Sequence, residues 1–337
     1  MSNEDNRRPC EQRPFKDMKG LLKFCLEATR SEDAPSGTNF EPMSEERRRW
    51  LEEAMSEMTT NPVERMSFCL KMIEEAEVDT ETGTEQQIRA LSELQDWGED
   101  MDIAGDLIKI NGLRVVPKLL SSEVSEIRWR CLELMGNLSQ NNPLAQTALI
   151  TLKLLPPMLL LLETDPNPTV MVKALYAISC LVRNNAEALQ HFIAHDGLSV
   201  LVKSLRSNDD RLRVKTTFMM SSICNSNPAL KDNLVAKGVI EQLVQILKDE
   251  DHDATHEHIM DALVSIISGH AAAREKCLSA ELDVRSFLCQ RIKFLEGKEP
   301  FQEEKEHAEK LLNLLNTNMD EQPSSHVTNT NLSLIAL

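Results

Sequence analysis

Apolar residues recur at helical spacing along most of this 337-residue chain, and the helical patterns themselves return at a fixed interval. The stretches EIRWRCLELMGNLSQNNP from Glu126, TVMVKALYAISCLVRNNA from Thr169 and RLRVKTTFMMSSICNSNP from Arg211 are spaced by 43 and 42 residues. A weaker fourth copy, HEHIMDALVSIISG, starts at His256. Each pattern closes on an apolar residue, at Leu138, Leu181, Ile223 and Ile267, and an Asn-rich turn follows the first three. A second column of apolar helices, INGLRVVPKLL, TLKLLPPMLLLL, HDGLSVLVKSL and AKGVIEQLVQIL, places Gly112, Leu154, Gly197 and Gly238 at steps of 42, 43 and 41.

A period of this size lies in the range of armadillo and HEAT repeats, roughly 40–47 residues. The predicted fold is all-α: an armadillo-repeat, right-handed superhelical solenoid with capping helices. Such units cannot bury their apolar faces alone, so each stacks on the next and atypical segments close the ends. ALSELQDWGEDMD, around Leu91 to Asp102, reads as an earlier unit. SEERRRWLEEAMSEM, with Ser44 as N-cap, and NPVERMSFCLKMI read as the opening cap; ELDVRSFLCQRIKFLEG and FQEEKEHAEKLLNLLNT read as the closing one. The expected layout is a flexible segment over 1–40, a repeat core over 41–317 and a flexible tail over 318–337, with SEDAPSGT (31–38) as a linker by composition.

Helix geometry sorts the last helix of each unit into faces, and in the solenoid these helices line the concave side. Leu134, Leu138, Leu175 and Ile178 point into the stack, which leaves three columns for a partner. Glu133, Tyr176 and Phe218 form one, Arg130, Lys173 and Lys215 a second, and Gln140, Arg183 and Asn225 a third. One basic residue per repeat makes a ladder suited to an anionic partner, against the alternative of a solvated helix face. Tyr176 is the only tyrosine in the chain and Phe218 sits at its repeat equivalent, so the pair reads either as aromatic anchors or, for Phe218, as core.

Composition narrows the chemistry. Fifty-four acidic against 37 basic residues give a net charge of -17, with no segregated lysine run, which argues against nucleic acid. The eight cysteines form no CxxC pair and fall mostly inside apolar helical patterns, as in a reducing compartment. The start, MSNEDNRRPC, has no apolar core of a signal peptide, and the greasiest stretch, Leu154 to Leu162, is broken by Pro156 and Pro157, so a cytoplasmic protein without a membrane partner is expected. Phosphate-binding glycine loops, nucleophile elbows and HExxH are absent, and neither an enzyme nor a cofactor is expected. His252, His256 and His258 beside Asp251 and Asp253 are the one cluster with the donors for zinc; the plainer reading is a solvated loop between repeats.

EPMSEERRRWLEEAM (41–55), RWRCLELMGNLSQNN and VKALYAISCLVRNNAEALQHFIAHDGLSVLVKSL together resemble the family of armadillo-type nucleotide exchange factors that bind heat shock protein 70. The resemblance runs from about Lys16 to Leu314. It implies a co-chaperone whose concave face, including Arg130, Glu133, Asn137, Gln140, Lys173, Tyr176, Arg183, Lys215, Phe218 and Asn225, embraces the chaperone's ATPase domain and promotes release of ADP and client. It also implies an N-terminal client mimic within 15–28, at Leu21, Leu22, Phe24 and Leu26, aimed at the peptide-binding domain; an extra capping helix is the alternative there. Ubiquitin-ligase co-chaperones stay open as further partners. The chain departs from mammalian members in lacking a Gly-rich leader before Lys16. The rival function is an importin- or catenin-like peptide-groove adaptor, which would show a Trp and Asn ladder; here the Trp position reads Glu133, Tyr176 and Phe218, and the Asn position reads Asn137, Cys180 and Ser222.

Overall fold

The computed structural model describes residues 44–50, 61–77, 80–249 and 255–317. The expected N-terminal segment over 1–40, with its candidate mimic, and the tail over 318–337 lie outside them. The chain divides into two compact units, Met1–Arg65 and Met66–Leu337. In the first, residues 45–50 are helical, and the Ser44 Oγ accepts from the Arg47 N–H at 3.3 Å as the cap position predicts.

The second unit is helical throughout its described regular structure, with no strand. Helix α1 (Pro62–Glu75) contributes Met66, Cys69, Leu70 and Ile73 to its core, and α2 (Glu81–Gly98) follows. Three-helix units then repeat. The first is α3 (Met101–Lys109), α4 (Val116–Leu120) and α5 (Ser125–Ser139). The second is α6 (Pro143–Thr151), α7 (Leu155–Thr164) and α8 (Pro168–Val182). The third is α9 (Ala186–Ala194), α10 (Gly197–Ser204) and α11 (Asp210–Ser226). The fourth is α12 (Leu230–Ala236), α13 (Val239–Asp249) and α14 (Thr255–Ile267), and α15 (Ala271–Cys277), α16 (Val284–Leu295) and α17 (Gln302–Asn316) close the array. The intermediate helix of the first unit opens with a 3₁₀ turn, Gly112–Val115, a detail the pattern did not foresee.

The Asn-rich turns work by a division of labour. In Asn141-Asn142 and Asn184-Asn185, the first residue takes the left-handed conformation (φ 54° and 55°), which asparagine tolerates. The second caps the next helix: Asn142 Oδ1 accepts from Ala145 N–H at 3.3 Å and Asn185 Oδ1 from Ala188 N–H at 2.9 Å. Gly269 (φ 66°) and His270, whose Nδ1 accepts from Ala273 N–H at 3.1 Å, perform the same two tasks in the fourth unit.

Closing helices α2, α5, α8, α11, α14 and α17 pack side by side in one row. Leu134, Leu138, Leu175 and Ile178 are all buried in it, as their register requires. Opening helices tie the row at its end. The buried Gln146 amide of α6 reaches Cys180 O at 2.9 Å and Arg183 O at 3.2 Å at the end of α8. One repeat period apart on α12 and α15, Lys231 Nζ donates to Ser268 O at 2.7 Å and Arg274 to Leu315 O at 3.1 Å. Five of the six described cysteines are buried single thiols, and burial pushes Cys224 up to about 11 and Cys277 up to about 12, so they behave as apolar filler.

One reading is corrected. His256 and His258 do not belong to a solvated loop: both lie in α14, where His256 is fully buried with its Nδ1 3.3 Å from Arg291 Nη1. Amphipathic register places one ring in the stack and the other two residues on outside it. His252, Asp251 and Asp253 are outside the described residues, within which no group of three ligands is close enough to hold a metal.

Gln146→Leu removes the only side-chain donor, among the described residues, to the Cys180 and Arg183 carbonyls at the end of α8, the first of them buried. The expected loss is about 1–3 kcal/mol of stability, read as a lower Tm and denaturation midpoint with helicity retained.

Candidate functional site

The exposed face of the row is the surface on which the three columns meet. α5 and α8 carry its densest polar network. Arg130 donates from Nε to Glu126 Oε1 at 3.0 Å and from Nη1 to Ser92 Oγ at 2.8 Å, with its guanidinium 4.5 Å from the Trp129 ring centre. Gln95 of α2 donates to Glu133 Oε2 at 2.9 Å, and Lys173 of α8 pairs with the other oxygen of the same carboxylate. Glu133 therefore joins three successive helices of the row.

Tyr176 lies one turn further along α8. Its phenol donates to Asn137 Oδ1 at 3.1 Å and lies 3.4 Å from Gln140 Oε1. Burial, then the neighbouring Cys180, holds the phenol well above its ordinary pKa, so it stays a neutral donor. The ring fits because residue 136 has no side chain: a Cβ there would sit 2.2 Å from Tyr176 Cε1. Asn137 belongs to a glycosylation-like triplet, yet its Ser139 is fully buried, with its hydroxyl donating to Met135 O at 2.7 Å.

Phe218 resolves the open choice made from sequence. It is 53% exposed, and its ring centre is 4.8 Å from that of His258 on α14. Asp261, one turn on, accepts from Ser221 Oγ at 3.3 Å and lies 3.9 Å from His307 Nδ1 on α17. Gln140, Arg183 and Asn225 are exposed at the ends of α5, α8 and α11, while Lys215 is half-buried on α11.

Two rungs of the basic ladder are paired within the chain. Arg130 and Lys173 are not free cations; each is neutralised by a carboxylate of this chain. For Lys173 the pairing follows from stacking, which brings it against Glu133 of the adjacent helix, a contact a one-helix projection cannot show; Arg130 pairs within its own helix, four residues after Glu126. Gln95, Glu126, Trp129, His258 and Asp261 were missed as members of this face. His258 was legible, since it continues the Glu133, Tyr176 and Phe218 column, but the step from Phe218 is 40 residues where the earlier steps are 43 and 42. The candidate mimic residues Leu21, Leu22, Phe24 and Leu26 lie outside the described residues.

Comparison with known proteins agrees with this architecture. Residues 103–215 and 190–293 match the SIL1/FES1/HPBP1 C-terminal domain, and residues 18–107 match the family described as nucleotide exchange factor Fes1. The chain is 37% identical over 310 residues to mouse Hsp70-binding protein 1, covering 89% of this chain and 86% of that one. The human protein of the same name is 36% identical over 310 residues, with 89% and 85% covered. A fungal relative, the Hsp70 nucleotide exchange factor FES1 of Mycosarcoma maydis, is 28% identical over 46% of this chain and 40% of its own. Among solved structures, the designed armadillo repeat protein YIII(Dq)4CqI superimposes with a TM-score of 0.58 at 22% identity, over 74% of this chain and 100% of that one. A related design, YIII(Dq.V1)4CPAF in complex with the peptide (KR)4, gives 0.60 at 21% identity, over 74% and 99%. These two likenesses establish the armadillo-like all-α solenoid.

Gly136→Ala drives a methyl group into the Tyr176 ring. The expected cost is about 1–3 kcal/mol, measured by denaturant unfolding, with the tyrosine fluorescence environment altered.

Proposed function

The chain belongs to the SIL1/FES1/HPBP1 family, and on that premise we propose that it is a nucleotide exchange factor of Hsp70 that docks through the exposed face of the α2–α17 row. The observation that carries the choice of face is the fixed polar and aromatic surface of α5, α8 and α11. Glu133 is held by Gln95 and Lys173, Tyr176 is seated on Gly136, and Phe218 stands exposed beside them. A surface already held in one conformation loses little side-chain entropy on binding.

The mechanism is differential binding. The row face grips the chaperone's ATPase domain in an opened, nucleotide-free form more tightly than in the closed ADP form, and by linkage ADP weakens that grip by the same factor. ADP leaves faster because the bound state it fits is depopulated. The chain itself makes and breaks no bond in this scheme. The reading assigns client release in part to the run Leu21, Leu22, Phe24 and Leu26, supported by its apolar character, its basic neighbours and its tethering, which raises its effective concentration at the peptide-binding domain. A peptide-groove adaptor suits this face less well: Asn137 is occupied by Tyr176, and the Trp position carries Glu133, Tyr176 and Phe218.

Stopped-flow release of fluorescent ADP from Hsp70 tests the activity. The rate is expected to rise with concentration of this chain to a plateau; a rate independent of the chain would refute the reading. Phe218→Ala, which deletes an exposed ring, is expected to cost about 2 kcal/mol of binding with Tm unchanged.

A further inference from the structure

Basic side chains on the row fall into two groups. Arg130 and Lys173 are spent on Glu126 and Glu133. Arg183, at the end of α8, and Lys215, on α11, have no carboxylate partner among the described residues. Beside Arg183 a cleft of about 260 Å³ opens between the C-terminal ends of α8 and α11, lined by Ser179, Leu189, Met219, Ser222 and Asn227 among others.

The cleft lies beside a change in the repeat. Gln146, Leu189, Lys231 and Arg274 recur at steps of 43, 42 and 43 residues, so that α9 carries Leu189 where α6, α12 and α15 carry side chains with donors. Those three side chains reach carbonyls at the ends of α8, α14 and α17. Leucine has no donor with which to draw in the end of α11. α8 and α11 pack on each other less extensively than any other neighbours in the row.

What the cleft offers is a set of donors. The Arg183 guanidinium stands at its edge, and the hydroxyls of Ser179 and Ser222, at equivalent places on adjacent helices, have no acceptor among the described residues. Arg183 and Lys215 both lie close enough to Cys180 to favour its thiolate, although burial outweighs them and holds the thiol above its ordinary pKa. An uncompensated guanidinium lining a cleft of a chain with net charge -17 makes a local site for negative charge.

We propose that the α8–α11 cleft is a docking subsite for an acidic side chain of the protein partner. Arg183 donates in bidentate fashion to the carboxylate, Ser179 and Ser222 complete its hydrogen bonds, and Lys215, one turn before Met219 on α11, adds positive charge. The proposal rests on the exchange-factor reading, because the partner whose carboxylate enters is Hsp70.

The test is a titration of nucleotide-free Hsp70 with the full chain and with R183A, R183K and R183E at two salt concentrations. R183A is expected to weaken binding about tenfold and to flatten its salt dependence, with R183K recovering part of the loss and R183E weaker still. Melting temperatures should not move, since among the described residues the Arg183 side chain has no hydrogen-bond or ion-pair partner to lose. R183A binding as tightly as the wild type overturns the proposal. So does R183E binding more tightly, which would mean that a basic side chain occupies the cleft. If the wild type does not bind Hsp70, the exchange-factor reading and the subsite fall together, whereas wild-type binding with an unaffected R183A sinks the subsite alone.

Discussion

The structure depends on one constraint: a three-helix unit of this composition has an apolar face with nothing inside the unit to cover it. Burial therefore comes from the neighbouring unit, and the closing helices are forced to lie side by side at one period. Everything on the row face follows from that spacing. Residues some forty positions apart in sequence become neighbours in space, as the Glu133 pairing with Lys173 and the Tyr176 bond to Asn137 show. The same constraint makes the ends of the helices matter, because their last carbonyls need donors. Gln146, Lys231 and Arg274 provide them across the unit, and beside α9, which carries Leu189 at that position, a cleft opens.

Architecture was legible in the sequence because it is written in periodicity. The closing helices begin at Ser125, Pro168, Asp210 and Thr255, in step with the strings that recur from Glu126 onward. Burial of Leu134, Leu138, Leu175 and Ile178 follows from helical register alone, and the Asn-rich turns announce both a left-handed residue and a cap. The site was legible only as columns. A projection of one helix tells which residues face outward, but not which of them meet across helices. The pairing of Lys173 with Glu133 on the adjacent helix was therefore hidden, and Phe218 could not be placed until its exposure and its contact with His258 were seen. His256 went the other way, into the stack, because a helix begins where the charged residues before it suggested a loop.

Function entered by a different route. Nothing in period, charge or packing specifies a chaperone; the long matching strings do, and the family match over residues 18–293 places the chain among nucleotide exchange factors. Physical chemistry then limits how such a protein works. The effect of an exchange factor on ADP is bounded by the difference in affinity it shows for two states of the chaperone. A scaffold whose side chains are already locked by repeat-to-repeat contacts is suited to that task, because binding energy is not consumed in ordering the surface.

The most direct measurement of this account is the affinity of the chain for Hsp70 by calorimetry, once with the chaperone nucleotide-free and once saturated with ADP. The expected result is tighter binding to the nucleotide-free form, by the same factor with which the chain weakens ADP binding in the reciprocal titration. Equal affinity for the two forms would contradict it, since a protein that does not distinguish them cannot displace the nucleotide.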